Sequence, residues 1–178
     1  MQGISAGKLR NILHLADEHG CFRMMAIDQR SSMRRMIAKQ LTKGEDDVTY
    51  DEIALAKYYI TKLLSPYSSA TLTDPIYGYP NCIAVIPRDV GVLIAYEESP
   101  PPKTESGERL LKLINGWSVE KTKRAGANAV KLLVYYNPYA SESTREQTHE
   151  VVRQVGDECE RYDIPYLLEI VVYPLAGV

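Results

Sequence analysis

The chain has 178 residues, with 21 Lys and Arg against 23 Asp and Glu for a formal net charge of −2; 45% of it is apolar and 25% charged. That is the balance of a soluble globular protein long enough to bury a core, read as one domain over residues 1–178. The absence of long basic blocks argues against nucleic acid as a partner. The lack of any long uncharged apolar run argues against a membrane span, and the first twenty residues show no apolar signal core, so the expected location is the cytoplasm.

Residues 23–28 (RMMAID) form a short apolar run ending on a carboxylate, which reads as a strand. Helical stretches follow at 32–40 and Tyr50–Leu64. The second has an explicit start: Thr49-x-x-Glu52 is a capping box, Val48 and Ile53 are placed as its hydrophobic staple, and Ser65-Pro66 stops it. A strand at 69–73 again closes on a carboxylate, Asp74, before the turn-like PIYGYPN. Another at 91–96 (GVLIAY) closes at Glu97, and SPPPKTESGE is the clearest loop. A helix is expected from Ser118 to Gly126 with a basic last turn, then a strand at 129–135 (AVKLLVY). A helix at 144–162 is expected to open on a capping box at Ser143-x-x-Glu146 and to bury Val151, Val155, Cys159 and Tyr162 on one face. The last strand is 165–172 (PYLLEIVV).

Five apolar strands separated by helices predict a parallel α/β sheet covered on both faces. Carboxylates at strand ends, a lysine inside the fourth strand and the lack of a Gly-rich phosphate loop favour a TIM-type (β/α) barrel over a doubly wound sheet. A full eight-stranded barrel takes about 250 residues, so the expectation is the first five β/α units of an incomplete barrel. Thirteen Tyr against one Phe and one Trp place many half-buried rings at rims and strand ends. Cys21, Cys82 and Cys159, odd in number and without C-x-x-C or zinc spacing, are expected as buried thiols.

No dinucleotide, Walker, nucleophile-elbow or H-E-x-x-H motif occurs, and His14, His19 and His149 have no partner at ligand spacing. Neither a metal nor a cofactor is implied. The strand ends are more informative. Ala26-Ile27-Asp28-Gln29-Arg30 sets an acid, an amide and a guanidinium where a barrel's first strand reaches its rim; a solvated turn is the plainer alternative. Lys131 interrupts a covered strand, where a cation needs a partner or a lowered pKa. It is therefore an anion ligand, a Schiff-base amine, or an edge lysine with its head in water. Glu169 inside the last strand is the converse case, a carboxylate whose burial favours proton transfer, or else an ion pair with Lys131. Asp74 and Glu97 are secondary candidates.

The segments MMAIDQRSSMRRMI, TLTDPIYG, GVLIAYEES, GWSVEKTKRAGANAVKLLVYYNP and DECERYDIPYLLEI, in that order, resemble the tagatose-1,6-bisphosphate aldolase family over residues 8–173. RAGANAV alone occurs in many barrels; the AIDQR and AVKLLVYY blocks together are the specific part. The resemblance implies a class I, metal-independent barrel aldolase. Such an enzyme cleaves a ketose bisphosphate to dihydroxyacetone phosphate and glyceraldehyde 3-phosphate through a lysine imine. It implies substrate contacts at Asp28, Gln29 and Lys131, with Arg30 beside them, and proton transfer at Glu169. The imine lysine of the family lies on a later strand than any read here, so it is expected beyond residue 178. Sulfofructose-phosphate aldolases share much of the pattern, a non-catalytic sugar-phosphate-binding protein on the same scaffold is the alternative of another class, and a homo-oligomer is left open.

Overall fold

The computed structural model describes residues 3–175. Its strands are β1 (Met24–Ala26), β2 (Ala70–Thr73), β3 (Gly91–Ala95), β4 (Ala129–Tyr136) and β5 (Tyr166–Val172). They form one parallel sheet in the order β1-β2-β3-β4-β5. The helices are α1 (Ala6–Leu15), α2 (Ser31–Leu41), α3 (Tyr50–Leu64), α4 (Tyr79–Cys82), α5 (Val119–Arg124) and α6 (Glu142–Arg161). A doubly wound sheet reverses its strand order; this one does not. It is the strand order of a (β/α) barrel, present here as an open half-barrel.

Local chemistry sets most element ends. At α3 the Thr49 side chain accepts the Glu52 N–H while the Glu52 carboxylate accepts that of Thr49, and Val48 and Ile53 both bury in the core beneath. Ser118 caps α5, and Gly126 follows that helix at φ +86°, where a side chain would be strained. The cap of α6 differs from expectation. Ser141, not Ser143, accepts the Thr144 N–H, because Glu108 from the preceding loop takes both the N–H and the hydroxyl of Ser141 at 2.7 Å. A tertiary contact thus starts this helix earlier than its local pattern implies.

The sheet has two faces. Outward, Val130, Leu132 and Val134 of β4 pack on Val119 of α5 and Val155 and Cys159 of α6, with Val151 and Tyr162 at the margin. Inward, Ala70, Leu72, Leu93, Ala95 and Ala129 form an apolar floor, and Leu15 of α1 plugs it from below. Each fully buried aliphatic side chain contributes about 1.5–3 kcal/mol. A β-carbon at Gly91 would lie 2.8 Å from the His14 carbonyl oxygen, so α1 closes the floor only over a glycine.

Two expectations need correction. Cys82 and Cys159 are buried, the latter with its thiol pushed up to about 12 by burial, but Cys21 is exposed in the turn before β1. And β5 is not covered on both faces. Leu168, Ile170 and Val172 on its outer side are 39%, 61% and 76% exposed, because among the described residues α6 packs over β4 and β5 has a single strand neighbour.

Candidate active site

Alternation along β4 sends Lys131, Leu133 and Tyr135 to the inward face while Val130, Leu132 and Val134 go to the helices. The sheet register puts Lys131 level with Ala95 and Leu167, at the top layer of the apolar floor, and Glu169 one layer higher beside Leu133. Lys131 is 1% exposed. Its ammonium lies 2.8 Å from Asp28 just past β1, 3.4 Å from Glu97 just past β3, and 3.1 Å from Glu169 on β5. Carboxylates from three strands therefore meet one buried cation at the C-terminal side of the sheet.

Arg30, also buried, completes the cluster. Its guanidinium donates to the Glu97 carbonyl and lies 3.6 Å from the Glu97 carboxylate, whose second oxygen accepts the Leu133 N–H at 2.9 Å. Burial is the largest influence on Glu97 and holds its carboxyl above the ordinary range, against the opposing pull of Lys131. Burial would likewise lower Lys131, but Glu97, Asp28 and Glu169 more than offset it, and the amine is held above the usual lysine value. Schiff-base formation needs a free amine. Lys131 is an ammonium, suited to hold an anion or a developing oxyanion rather than to attack a carbonyl.

The other candidates lie differently. Gln29 reaches only the Ala26 carbonyl, at 3.5 Å, and makes no hydrogen bond with the cluster. Glu169 faces inward as expected but its side chain is 47% exposed, since the open side of β5 leaves it unburied. Asp74 belongs to a separate arrangement. It pairs at 2.8 Å with Lys57 of α3, both groups fully buried, and takes the N–H groups of Ile76, Tyr77 and Gly78. A β-carbon at Gly78 would collide with Thr73 Oγ1, so that turn requires glycine. Lys57 also donates to the Ile27 carbonyl, tying the ends of β1 and β2 one residue before Asp28. Sequence reading overlooked Lys57, although its place four residues after buried Ile53 and four before buried Thr61 marks a cation on an apolar stripe. His149 stacks on Tyr136 at 5.7 Å, outside the cluster.

A charged cluster on the inward face, at the C-terminal ends of consecutive parallel strands, is where barrel enzymes carry their chemistry. Residues 22–177 match the DeoC/LacD family aldolase description, and the chain belongs to that family. It is 34% identical over 171 residues to a tagatose 1,6-diphosphate aldolase of Streptococcus agalactiae, covering 96% of this chain and 51% of that one. A tagatose 1,6-diphosphate aldolase of Enterococcus faecalis is 37% identical over 175 residues, covering 97% and 50%. The chain thus spans about half the length of the curated relatives it matches. Among solved structures, an archaeal fructose 1,6-bisphosphate aldolase superposes with a TM-score of 0.57 at 13% identity, over 90% of this chain and 56% of that chain. That likeness is one of fold.

Proposed function

We propose that the protein is a class I aldolase that cleaves a phosphorylated ketose, tagatose 1,6-bisphosphate or a close analogue, to dihydroxyacetone phosphate and an aldehyde. The observation that carries this reading is the convergence of Asp28, Glu97 and Glu169 on Lys131 in the half-barrel of an aldolase-family chain. In this chemistry a lysine amine adds to the C2 carbonyl and loses water. The resulting iminium takes up the electron pair of the breaking C3–C4 bond while a base removes the C4 hydroxyl proton. Glu169 is the proton carrier: it is the carboxylate of the cluster most open to solvent and still within reach of Lys131. Lys131 and Asp28 hold substrate oxygens, Gln29 and Arg30 add donors at the same rim, and Glu97 fixes Lys131 and Arg30.

The imine lysine is a different residue. Lys131 is held protonated, and Lys57 is closed into its pair with Asp74. Lys131 is the only lysine on the five strands, and the family resemblance assigns the amine to a later strand of the barrel. A solved structure of similar fold, that of an archaeal fructose-1,6-bisphosphate aldolase at 13% identity, has its catalytic lysine covalently bound to the carbinolamine intermediate of its substrate.

Borohydride reduction in the presence of dihydroxyacetone phosphate tests the reading. The 178-residue chain alone is expected to give no trapped adduct and no cleavage, whereas a longer protein, with the remaining strands of a full barrel added, is expected to give both and to tolerate a chelator. An adduct mapped by peptide mass to Lys131 would make that residue the nucleophile, and loss of activity to a chelator would overturn the imine route. Parallel assays with tagatose 1,6-bisphosphate and sulfofructose phosphate identify the sugar; calorimetric binding of dihydroxyacetone phosphate without turnover in the longer protein would favour a non-catalytic role.

A further inference from the structure

The cluster around Lys131 is poorly matched to an anionic substrate by itself. Three carboxylates face two cations, a formal excess of one negative charge. Lys131 donates to Asp28 and Glu97 and lies 3.1 Å from the Glu169 carboxylate, and Arg30 is turned onto Glu97. A phosphate group brought to this mouth meets no surplus positive charge there. Recognition needs a further cation on the rim.

A cavity of about 640 Å³ beside the start of α2 is lined by Arg34 and Arg35; the Arg34 guanidinium donates to the Glu45 and Val48 carbonyls and the Tyr77 hydroxyl, and Arg35 is exposed on α2. Arg109 is in a different state. It comes from the long loop after β3, and its guanidinium carbon sits 4.0 Å from the centre of the Tyr135 ring and 5.3 Å from that of Tyr173. Tyr135 lies on the inward side of β4, four residues past Lys131, and Arg109 shares a crevice with Leu133, Tyr135 and Glu97. Among the described residues Arg109 joins no ion pair.

Its position is fixed by other groups. The Arg109 N–H donates to the Tyr173 hydroxyl at 3.1 Å. The neighbouring Glu108 is fully engaged with Ser141 and Thr144, and the Gln147 side chain bonds both the N–H and the carbonyl of Leu111. A guanidinium lying on aromatic faces keeps its edge N–H groups available, and their planar fork suits the paired oxygens of a phosphate or sulfonate.

Resting on the aldolase reading above, we propose that Arg109 is a specificity-determining residue that binds the tetrahedral oxyanion of the substrate. Tyr135 and Tyr173 serve as the platform that aims it over the Lys131 cluster. This residue supplies, from outside the carboxylate shell, the positive charge that the cluster lacks.

Calorimetric titration with dihydroxyacetone phosphate, dihydroxyacetone, 2,3-dihydroxypropanesulfonate and inorganic phosphate tests it, with Arg109→Met, Arg109→Lys and the surface control Arg124→Met compared with the parent. Loss of a bidentate contact is expected to weaken the phosphate ester roughly tenfold or more in Arg109→Met, with Arg109→Lys intermediate and Arg124→Met unchanged. Dihydroxyacetone binding is expected to stay the same. The sulfonate arm shows which oxyanion is preferred; dependence of either one on Arg109 supports the assignment. In the longer enzyme KM should rise with little change in kcat.

Equal affinity of parent and Arg109→Met for every anion, absence of anion binding by the parent, or equal weakening of the charged and uncharged ligands would overturn the proposal, the last because it marks a packing role. The two readings separate cleanly. Arg109-dependent binding of inorganic phosphate with no cleavage by the longer protein would leave the oxyanion site standing and remove the aldolase.

Discussion

Lys131 keeps its proton because three carboxylates outweigh the desolvation of a nearly inaccessible ammonium. Removing the cation strands those carboxylates against one another at the sheet's rim. Lys131→Met should therefore cost about 3–5 kcal/mol, the range for breaking a buried ion pair from one side, and adding Glu97→Gln should restore part of it. Urea denaturation of the single and double variants measures both effects. The raised pKa also fixes a pH dependence. An unfolded lysine releases its proton near 10.5 and the folded Lys131 does so higher, so between those values the folded state binds more protons. The contribution of Lys131 is fully present below pH 10.5 and is lost as pH rises through the folded value. Stability against pH should fall more steeply above that point for the parent than for Lys131→Met. Asp74 offers the contrast. Its partner Lys57 lies behind the sheet ends rather than in the mouth, so Asp74→Asn should lower stability by about 3–5 kcal/mol while leaving affinity for a phosphate ester per folded molecule close to that of the parent. Asp28→Asn should show the opposite balance, weakening ligand binding more than folding, and paired titration and melting curves on the two variants tell the roles apart.

At the level of elements, a local signal holds where no distant group competes with it, as at α3, and gives way where one does, as at α6. Every group that starts α3 lies within six residues, Val48 to Ile53, so the capping box and staple were legible before any tertiary contact was known. The start of α6 depends on Glu108, 33 residues before Ser141, and nothing near Ser143 announces that contact. Likewise α1 has an ordinary helical sequence, and its value as the floor's plug emerges only when Leu15 meets Gly91 of β3. The convergence on Lys131 was readable because strand ends in a barrel share one rim. The diversion of Asp74 was not, since it needs Lys57 to arrive from α3. These caps also predict acid sensitivity. Thr144 and Ser141 hold the Glu108 carboxyl below its ordinary range, and Lys43 with Thr49 does the same for Glu52. Both carboxyls therefore contribute stability above pH 4.5 that is lost as pH falls through their lower folded values. Glu108→Gln should flatten the acid limb of the stability curve, read from thermal melts at successive pH values. Thr49→Ala should cost about 1 kcal/mol through the lost cap.

At the scale of the whole sheet, five parallel strands leave β1 and β5 with unpaired edges among the described residues, which a closed barrel would not have. The two edges are unequal. β1 is three residues long, too short to template another chain, whereas β5 runs for seven and carries exposed Leu168, Ile170 and Val172 along its outer side. An edge of that length and apolarity recruits a partner strand or sheet. The 178-residue chain on its own should therefore associate as its concentration rises, a behaviour sedimentation velocity resolves. Ile170→Lys puts a charge in the middle of that exposed strip, on a side chain already 61% exposed, and so should suppress association while changing monomer stability by no more than about 0.5 kcal/mol. Unchanged association in Ile170→Lys would locate the contact elsewhere, the exposed α3 side chains Leu55, Tyr59 and Leu63 being the next apolar strip to test. Covering β5 would also reach the site: Glu169 lies on the same strand with its side chain 47% exposed and 3.1 Å from Lys131, so a neighbour at that edge would shut bulk water out from one side of the charged cluster.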